Sequence, residues 1–187
     1  MLLQKNTSPL IIDATVAFIQ EAHQGQKYGN MPYFFHPIEV AEEVLFLLTG
    51  AAFGYGRPGF ESPPNRETAF LAALLHDVVE DTEYTESDLR ERYSTEVVDA
   101  VMLLTLKEGK DYRDNIQRII DSGNVNAMLV KLADNRVNRR GDKSGFKPEK
   151  AQKLNDRYDM SMEMLLDALA EHGITISVEP VEAVNAT

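Results

Sequence analysis

The chain has 187 residues, no cysteine, a hydrophobic fraction of 43% and a formal net charge of −11. Its length suits one domain with a core of its own, and the missing cysteines exclude disulfides and thiolate metal sites. The acidic balance argues against a general binder of nucleic acid or anionic membrane.

No run of about 18 apolar residues offers a membrane span. The first residues lack a basic segment leading into a cleavable apolar stretch, so a cytoplasmic protein is expected. In chain order, the segments read as helices. Ser8, Pro9 and Gly25 frame the first as N-cap, first-turn proline and stop. The next runs through Ile38, Ala41, Val44, Leu45 and Leu48 at helical spacing, with His36 at about its N-cap before Pro37. Residues 49–66 are rich in glycine and proline and read as a long surface loop, either a lid or a simple insertion. The GxGxxG from Gly54 to Gly59 is set aside: Pro58 lies inside it, and no strand or helix frames it as a dinucleotide turn.

The helix over about 67–80 is apolar on nearly every side, which predicts a central position. Thr85 and Asp88 resemble a capping box. Segments 94–106, 112–121 and 125–140 continue the helical pattern, and 147–173 reads as a long last helix stopped by Gly173. The expected fold is all-α: one domain over 1–187, with its core at about 8–173 and a flexible tail, 174–187, holding at most one short extended piece.

The central helix carries the chemistry. His76 and Glu80 are four residues apart, as are Asp77 and Asp81, which on a continuous helix makes one compact patch. Buried charges must be paired, bind a metal or neutralise. No lysine or arginine is adjacent, and a divalent ion would supply the missing cation; a charged helix rim with a satisfied histidine is the plainer alternative. Two other segments add to the first reading. A neutral His36 at a helix start can point away from the helix as a ligand. Asp134 follows an apolar strip and should face inward, with Lys131 and Asn138 on the same helical stripe. His36, His76, Asp77 and Asp134 make an N2O2 set that leaves Mn²⁺, Fe²⁺, Co²⁺, Ni²⁺ and Zn²⁺ open. Lys131, Arg136, Arg139, Arg140, Lys143 and Lys147 stand against only Asp134 and Asp142 in residues 131–147. This basic island is either an anion site or a solvated helix end. His23 reads as a structural hydrogen-bonder.

"HP", "LLHDVVEDT" and "VKLADNRVN", in this order on a helical chain, resemble the HD-domain metal phosphohydrolases. More narrowly, with "AHQGQ" before "PYFFHP" and the HDxxED form of the motif, they resemble the hydrolase domain of the RelA/SpoT alarmone enzymes and stand-alone small alarmone hydrolases. The resemblance covers roughly residues 10–170. It implies a helical bundle around a metal site, with a metal, usually Mn²⁺, on His36, His76, Asp77 and Asp134. It implies that Glu80 and Asp81 handle catalytic water and protons, and that Asn138 contacts the nucleotide's sugar or phosphate. The implied reaction removes the 3′-pyrophosphate of (p)ppGpp, and with no synthetase domain following, a hydrolase-only protein is expected.

Three departures stand out. The family's "RKxGxPY" stretch is here the shorter "QKYGNMPY", leaving Lys27 and Tyr28 to face the base. A frequent threonine is replaced by Gly141, and loop 49–66 is long. Lys131, Arg136 and Arg140 are expected to hold substrate phosphates. The partner is then a small nucleotide, with no nucleic acid or membrane, and self-association is left open. The runner-up readings are an NADPH 2′-phosphatase or nucleotidase of the same fold, or a nucleotide-binding regulator with a degenerate site.

Overall fold

The computed structural model describes residues 9–55, 62–106, 109 and 111–177. The expected cap at Ser8 and most of the GxGxxG stretch lie outside the described residues. Helix α1 (Pro9–Ala22) leads into strands β1 (Lys27–Tyr28) and β2 (Met31–Pro32). These pair antiparallel, Tyr28 opposite Met31, across a turn in which Gly29 takes a left-handed φ of 59°.

Helix α2 (Phe35–Gly50) follows, capped by Phe34, so His36 sits inside the first turn rather than at the N-cap. Strand β3 (Ala51–Phe53) continues directly from it. Asn65 accepts the Thr68 amide at 3.0 Å and starts helix α3 (Arg66–Leu75).

The expected continuous helix over 67–80 is broken. The chain turns at His76 and Asp77 and restarts as the single turn α4 (Val78–Asp81), with Asp77 at φ −99°, ψ −4°. All-round apolarity shows that the segment is buried but carries no phase that would reveal a bend.

Helix α5 (Glu86–Arg92) has the full capping box between Thr85 and Asp88. Helices α6 (Thr95–Leu104) and α7 (Tyr112–Asp121) precede α8 (Val125–Arg140), in which every residue from Ala127 to Val137 is buried. Helix α9 (Pro148–Glu171) starts with Pro148 in its first turn. Strand β4 (Ile174–Ile176) pairs antiparallel with β3, burying Ile174 and Ile176. The start of the expected tail therefore belongs to the fold.

Helix α8 packs against α2, α3 and α9, and α3 packs against α1, α2 and α6. One hydrophobic cluster runs through all of them, including Val40, Val44, Leu74, Leu75, Leu129, Leu132 and Leu165. Burying such side chains contributes roughly 1.5–3 kcal/mol each. Among the described residues the architecture is all-α apart from two small two-stranded ladders. Among the described residues no helix is long and apolar enough to cross a membrane.

Candidate metal centre

Three elements bring four candidate ligand side chains close together. His36 comes from the first turn of α2, His76 and Asp77 from the break after α3, and Asp134 from the middle of α8. His36 Nε2 lies 3.3 Å from Asp134 Oδ1 and 3.8 Å from Asp77 Oδ2. His76 Nε2 lies 2.9 Å from Asp77 Oδ2 and 3.8 Å from Asp134 Oδ1. Ligand atoms of His36, His76 and Asp77 all fall within 4.8 Å of one another.

The tautomer of His76 follows from its surroundings. Nδ1–H donates to the Ala73 carbonyl at 2.8 Å, leaving the Nε2 lone pair facing the cluster. Despite its nearness to Asp77, that buried Nε2 has no hydrogen-bond partner of acceptable geometry. Imidazole nitrogens and carboxylate oxygens this close, with a buried ring nitrogen left unbonded, suit a cation between them. The set of two imidazoles and two carboxylates contains no soft ligand and fits a divalent first-row ion. The structure thus shows a His/Asp site of the kind that binds metal.

Without an ion the charges lean on one another. Burial works against the His76 imidazolium, but the Asp77 carboxylate outweighs it and, with Asp134, lifts the pKa to about 9. Burial would raise Asp77, yet His76 more than compensates and holds it at about 2. Asp134 is kept ionised against its burial chiefly by Lys131, whose Nζ donates to Oδ2 at 2.8 Å. Asn138 Nδ2 donates to Asp134 Oδ1 at 2.6 Å, so Lys131, Asp134 and Asn138 form a bonded row along α8.

A cavity of about 190 Å³ opens over this centre. Of the expected site residues, Tyr28, His36, Asp77, Glu80, Asp81, Lys131, Asp134 and Asn138 line it. Burial and the nearby Asp77 charge raise the pKa of both Glu80 and Asp81. Glu80 Oε2 accepts the Leu106 amide at 2.9 Å, which offsets part of that rise. Tyr28 stacks on His36 with ring centroids 4.6 Å apart, and its hydroxyl donates to Asn138 Oδ1 at 3.3 Å. Burial and the surrounding carboxylates push the Tyr28 phenol up to about 12, so it stays a donor.

Three expected binding residues are elsewhere. Arg136 Nε donates to Glu43 Oε1 at 2.6 Å, and Arg140 donates to Glu43 Oε2. Glu43 is a buried α2 carboxylate, so these two arginines clamp α8 to α2 and do not line the cavity. Exposed Lys27 does not line it either; its neighbour Tyr28 does. Two more cations of the basic island are also committed: Arg139 pairs with Asp159 at 2.8 Å, and Lys143 Nζ caps the α8 carbonyls of Asn138 and Arg139.

Five further residues, Tyr33, Leu106, Tyr112, Arg157 and Tyr158, line the cavity beyond those expected. The Tyr33 hydroxyl donates to Asp77 Oδ2 at 2.6 Å and approaches Asp81 Oδ2 at 3.3 Å. "PYFFHP" placed Tyr33 close to the motif and "YRDNIQRI", which starts at Tyr112, resembles the family, but nothing local to α9 pointed toward the cavity. His23 is the structural bonder expected: its Nδ1 pairs with Gln26 Oε1 at 2.8 Å, and Gln26 Nε2 donates to the Asp81 carbonyl at 2.6 Å.

Comparison with known proteins places this geometry. The HD domain family model matches residues 33–139, a stretch that holds all four donor residues. A guanosine-3′,5′-bis(diphosphate) 3′-pyrophosphohydrolase of Haemophilus influenzae is 30% identical over 145 residues, 72% of this chain and 19% of that protein. The bifunctional (p)ppGpp synthase/hydrolase SpoT of Escherichia coli is 28% identical over 145 residues, 72% of this chain and 18% of its own length. The chain thus spans about a fifth of the length of the curated relatives it matches. A solved metazoan ortholog of SpoT, described as hydrolyzing ppGpp and acting in starvation responses, superposes with a TM-score of 0.62 at 22% identity, covering 88% of each chain. That likeness shows the fold. From the matched residues and the shared helical architecture, this chain belongs to the HD domain family.

Proposed function

We propose that this chain is a metal-dependent hydrolase of guanosine alarmones, converting (p)ppGpp to GDP or GTP and pyrophosphate. The observation that carries this is the clustering of His36, His76 and Asp77 ligand atoms with Asp134 beside them, under a small cavity that Glu80, Asp81 and Lys131 also line. The relatives named for 3′-pyrophosphohydrolysis and for (p)ppGpp hydrolysis supply the substrate class.

In this reading the four donors hold one divalent cation, Mn²⁺ by choice. When bound, it polarises a phosphoryl oxygen and neutralises part of its charge. Lys131 and Asn138 hold the Asp134 carboxylate in place, and the Tyr33 hydroxyl does the same for Asp77. Water adds across the bond between the 3′ oxygen and its phosphorus, so the water oxygen leaves on pyrophosphate and a proton reaches the freed 3′ oxygen. Glu80 and Asp81 handle that proton; raised carboxyl pKa values suit groups that must take one up and give it back. Tyr28 and Asn138 face the nucleoside. The same reading gives a small nucleotide as partner in the cytoplasm and needs neither nucleic acid nor membrane.

The test is a panel of ppGpp, pppGpp, NADPH and nucleoside monophosphates with added Mn²⁺, read as released pyrophosphate or orthophosphate. Pyrophosphate from ppGpp is the expected result. Orthophosphate from NADPH, with no pyrophosphate from either alarmone, overturns the proposal in favour of a phosphatase. Tight nucleotide binding without any turnover overturns it in favour of a regulator.

A further inference from the structure

Arg157 of α9 lines the same cavity as His36, Asp77 and Asp134. Its guanidinium carbon sits 4.4 Å from the Tyr112 ring centroid and 5.2 Å from that of Tyr158. One amino group reaches the Tyr158 hydroxyl at 3.4 Å, a weak contact. Its Nε is buried and has no hydrogen-bond partner. Among the described residues no carboxylate forms an ion pair with it. Four other cations of the α8 segment are engaged by carboxylates: Lys131 by Asp134, Arg136 and Arg140 by Glu43, and Arg139 by Asp159.

A buried donor without a partner is costly and calls for an explanation, and a ligand that supplies the partner is one. The stacking gives a direction. A guanidinium lying against an aromatic ring keeps its N–H edge free for oxygens. Tyr112 is a firm support, because its hydroxyl donates to Asn135 Oδ1 at 2.6 Å and Asn135 donates in turn to Ser161 at 2.6 Å.

We propose that Arg157 is a binding residue for a second phosphate group of the substrate, the one at the 5′ end, away from the bond that is cut. This rests on the alarmone reading above, in which the 3′ end faces the metal donors. It follows that the site selects nucleotides with phosphate at both ends. A ligand phosphorylated only at the 3′ position leaves Arg157 unpaired.

The test uses two ligands that lack a pyrophosphate bond, guanosine 3′,5′-bisphosphate and guanosine 3′-monophosphate. Their affinities are measured by calorimetry on Mn²⁺-loaded wild type, Arg157→Gln and Arg157→Lys. Wild type should prefer the bisphosphate. Arg157→Gln should weaken the bisphosphate by about 10- to 100-fold, the usual value of a charge-assisted phosphate contact, and leave the monophosphate unchanged. Arg157→Lys should fall between, keeping charge but losing the planar fork. Unchanged metal content and far-UV circular dichroism establish that the variants are folded. Equal loss for both ligands, no loss for either, or no wild-type preference for the bisphosphate overturns the inference. Each of these results is independent of whether wild type releases pyrophosphate from ppGpp, so the two readings fail separately.

Discussion

Gly141 and Tyr28 are linked although they lie in different elements, and Gly141→Ala tests the link. A Cβ built on Gly141 falls 2.9 Å from the Tyr28 hydroxyl, too close for both to stay where they are. The backbone itself does not object: Gly141 has φ −58° and ψ 148°, open to any residue. Alanine there should gain about 0.4–1 kcal/mol by restricting the unfolded chain. Against this, the tyrosine must move off its stack on His36 and its 3.3 Å bond to Asn138. An aromatic pair contributes about 0.5–1.5 kcal/mol and a hydrogen bond a similar amount. The net expectation is a destabilisation of about 0.5–2 kcal/mol. In a Tyr28→Phe background the clashing oxygen is gone, so the same substitution should be neutral or stabilising. Urea unfolding of wild type, both single variants and the double variant yields the coupling, expected at about 1–2 kcal/mol. If the two effects add to within about 0.5 kcal/mol, Gly141 does not make room for Tyr28 and the reasoning fails.

Other outcomes follow from the centre itself. Asp134→Ala and His76→Ala should lose bound Mn²⁺ on dialysis, because removing one donor unbalances the rest; retained metal in both refutes the donor set. Glu80→Gln should keep its metal and lose about 10²–10⁴-fold in turnover, whereas metal loss would make Glu80 a ligand. Glu43→Ala leaves Arg136 buried and unpaired and should cost roughly 3–5 kcal/mol in denaturant unfolding, with a cost under about 1 kcal/mol showing the clamp to be dispensable. For the chelated protein, the His76 pKa is about 9 against 6.5 for a free side chain, so its stabilisation is complete below pH 6.5 and is lost as pH climbs through 9. Asp77, at about 2 against 3.8, contributes above pH 3.8 and loses its contribution as pH falls toward 2. The chelated protein's melting temperature should therefore fall between pH 6.5 and 9.5, and the stabilisation by Mn²⁺ should grow over the same range because deprotonated ligands bind it. A melting temperature of the chelated protein that rises over that interval contradicts the charged cluster.

The helices were legible because their caps and apolar spacing are local. Thr85 with Asp88 and Pro148 at the start of α9 show this directly. Asp134 could be placed inward because the strip before it fixed the phase of α8. The break at His76–Asp77 was not legible, since a segment buried on all sides has no polar face to mark a change of direction. Charge partners were the weakest point. Arg136 and Arg140 look like an anion site beside Asp134, and only the fold reveals Glu43, 93 and 97 residues away, as their counter-ion. The pairing of β3 with β4 and the arrival of Arg157 at the cavity are long-range in the same way. Residue type showed what these groups could do, but not where they would meet.

The small β3–β4 ladder ties together the chain just beyond the two helices that carry His36 and Arg157. Helix α2 runs from His36 to Gly50 and then into β3; helix α9 runs from Arg157 to Glu171 and then into β4 by way of Gly173. Each arm is fifteen residues, about 21 Å from first to last at helical rise. The two behave as the jaws of a caliper, with α8 held between them and the ladder as the hinge pin. The separation of His36 and Arg157 thus has two determinants, the packing of α8 against both arms and the ladder that ties their ends. Prying the strands apart, or cutting the chain before Ile174, would let the jaws drift and mistune the pocket for ligand length without altering any residue that lines it.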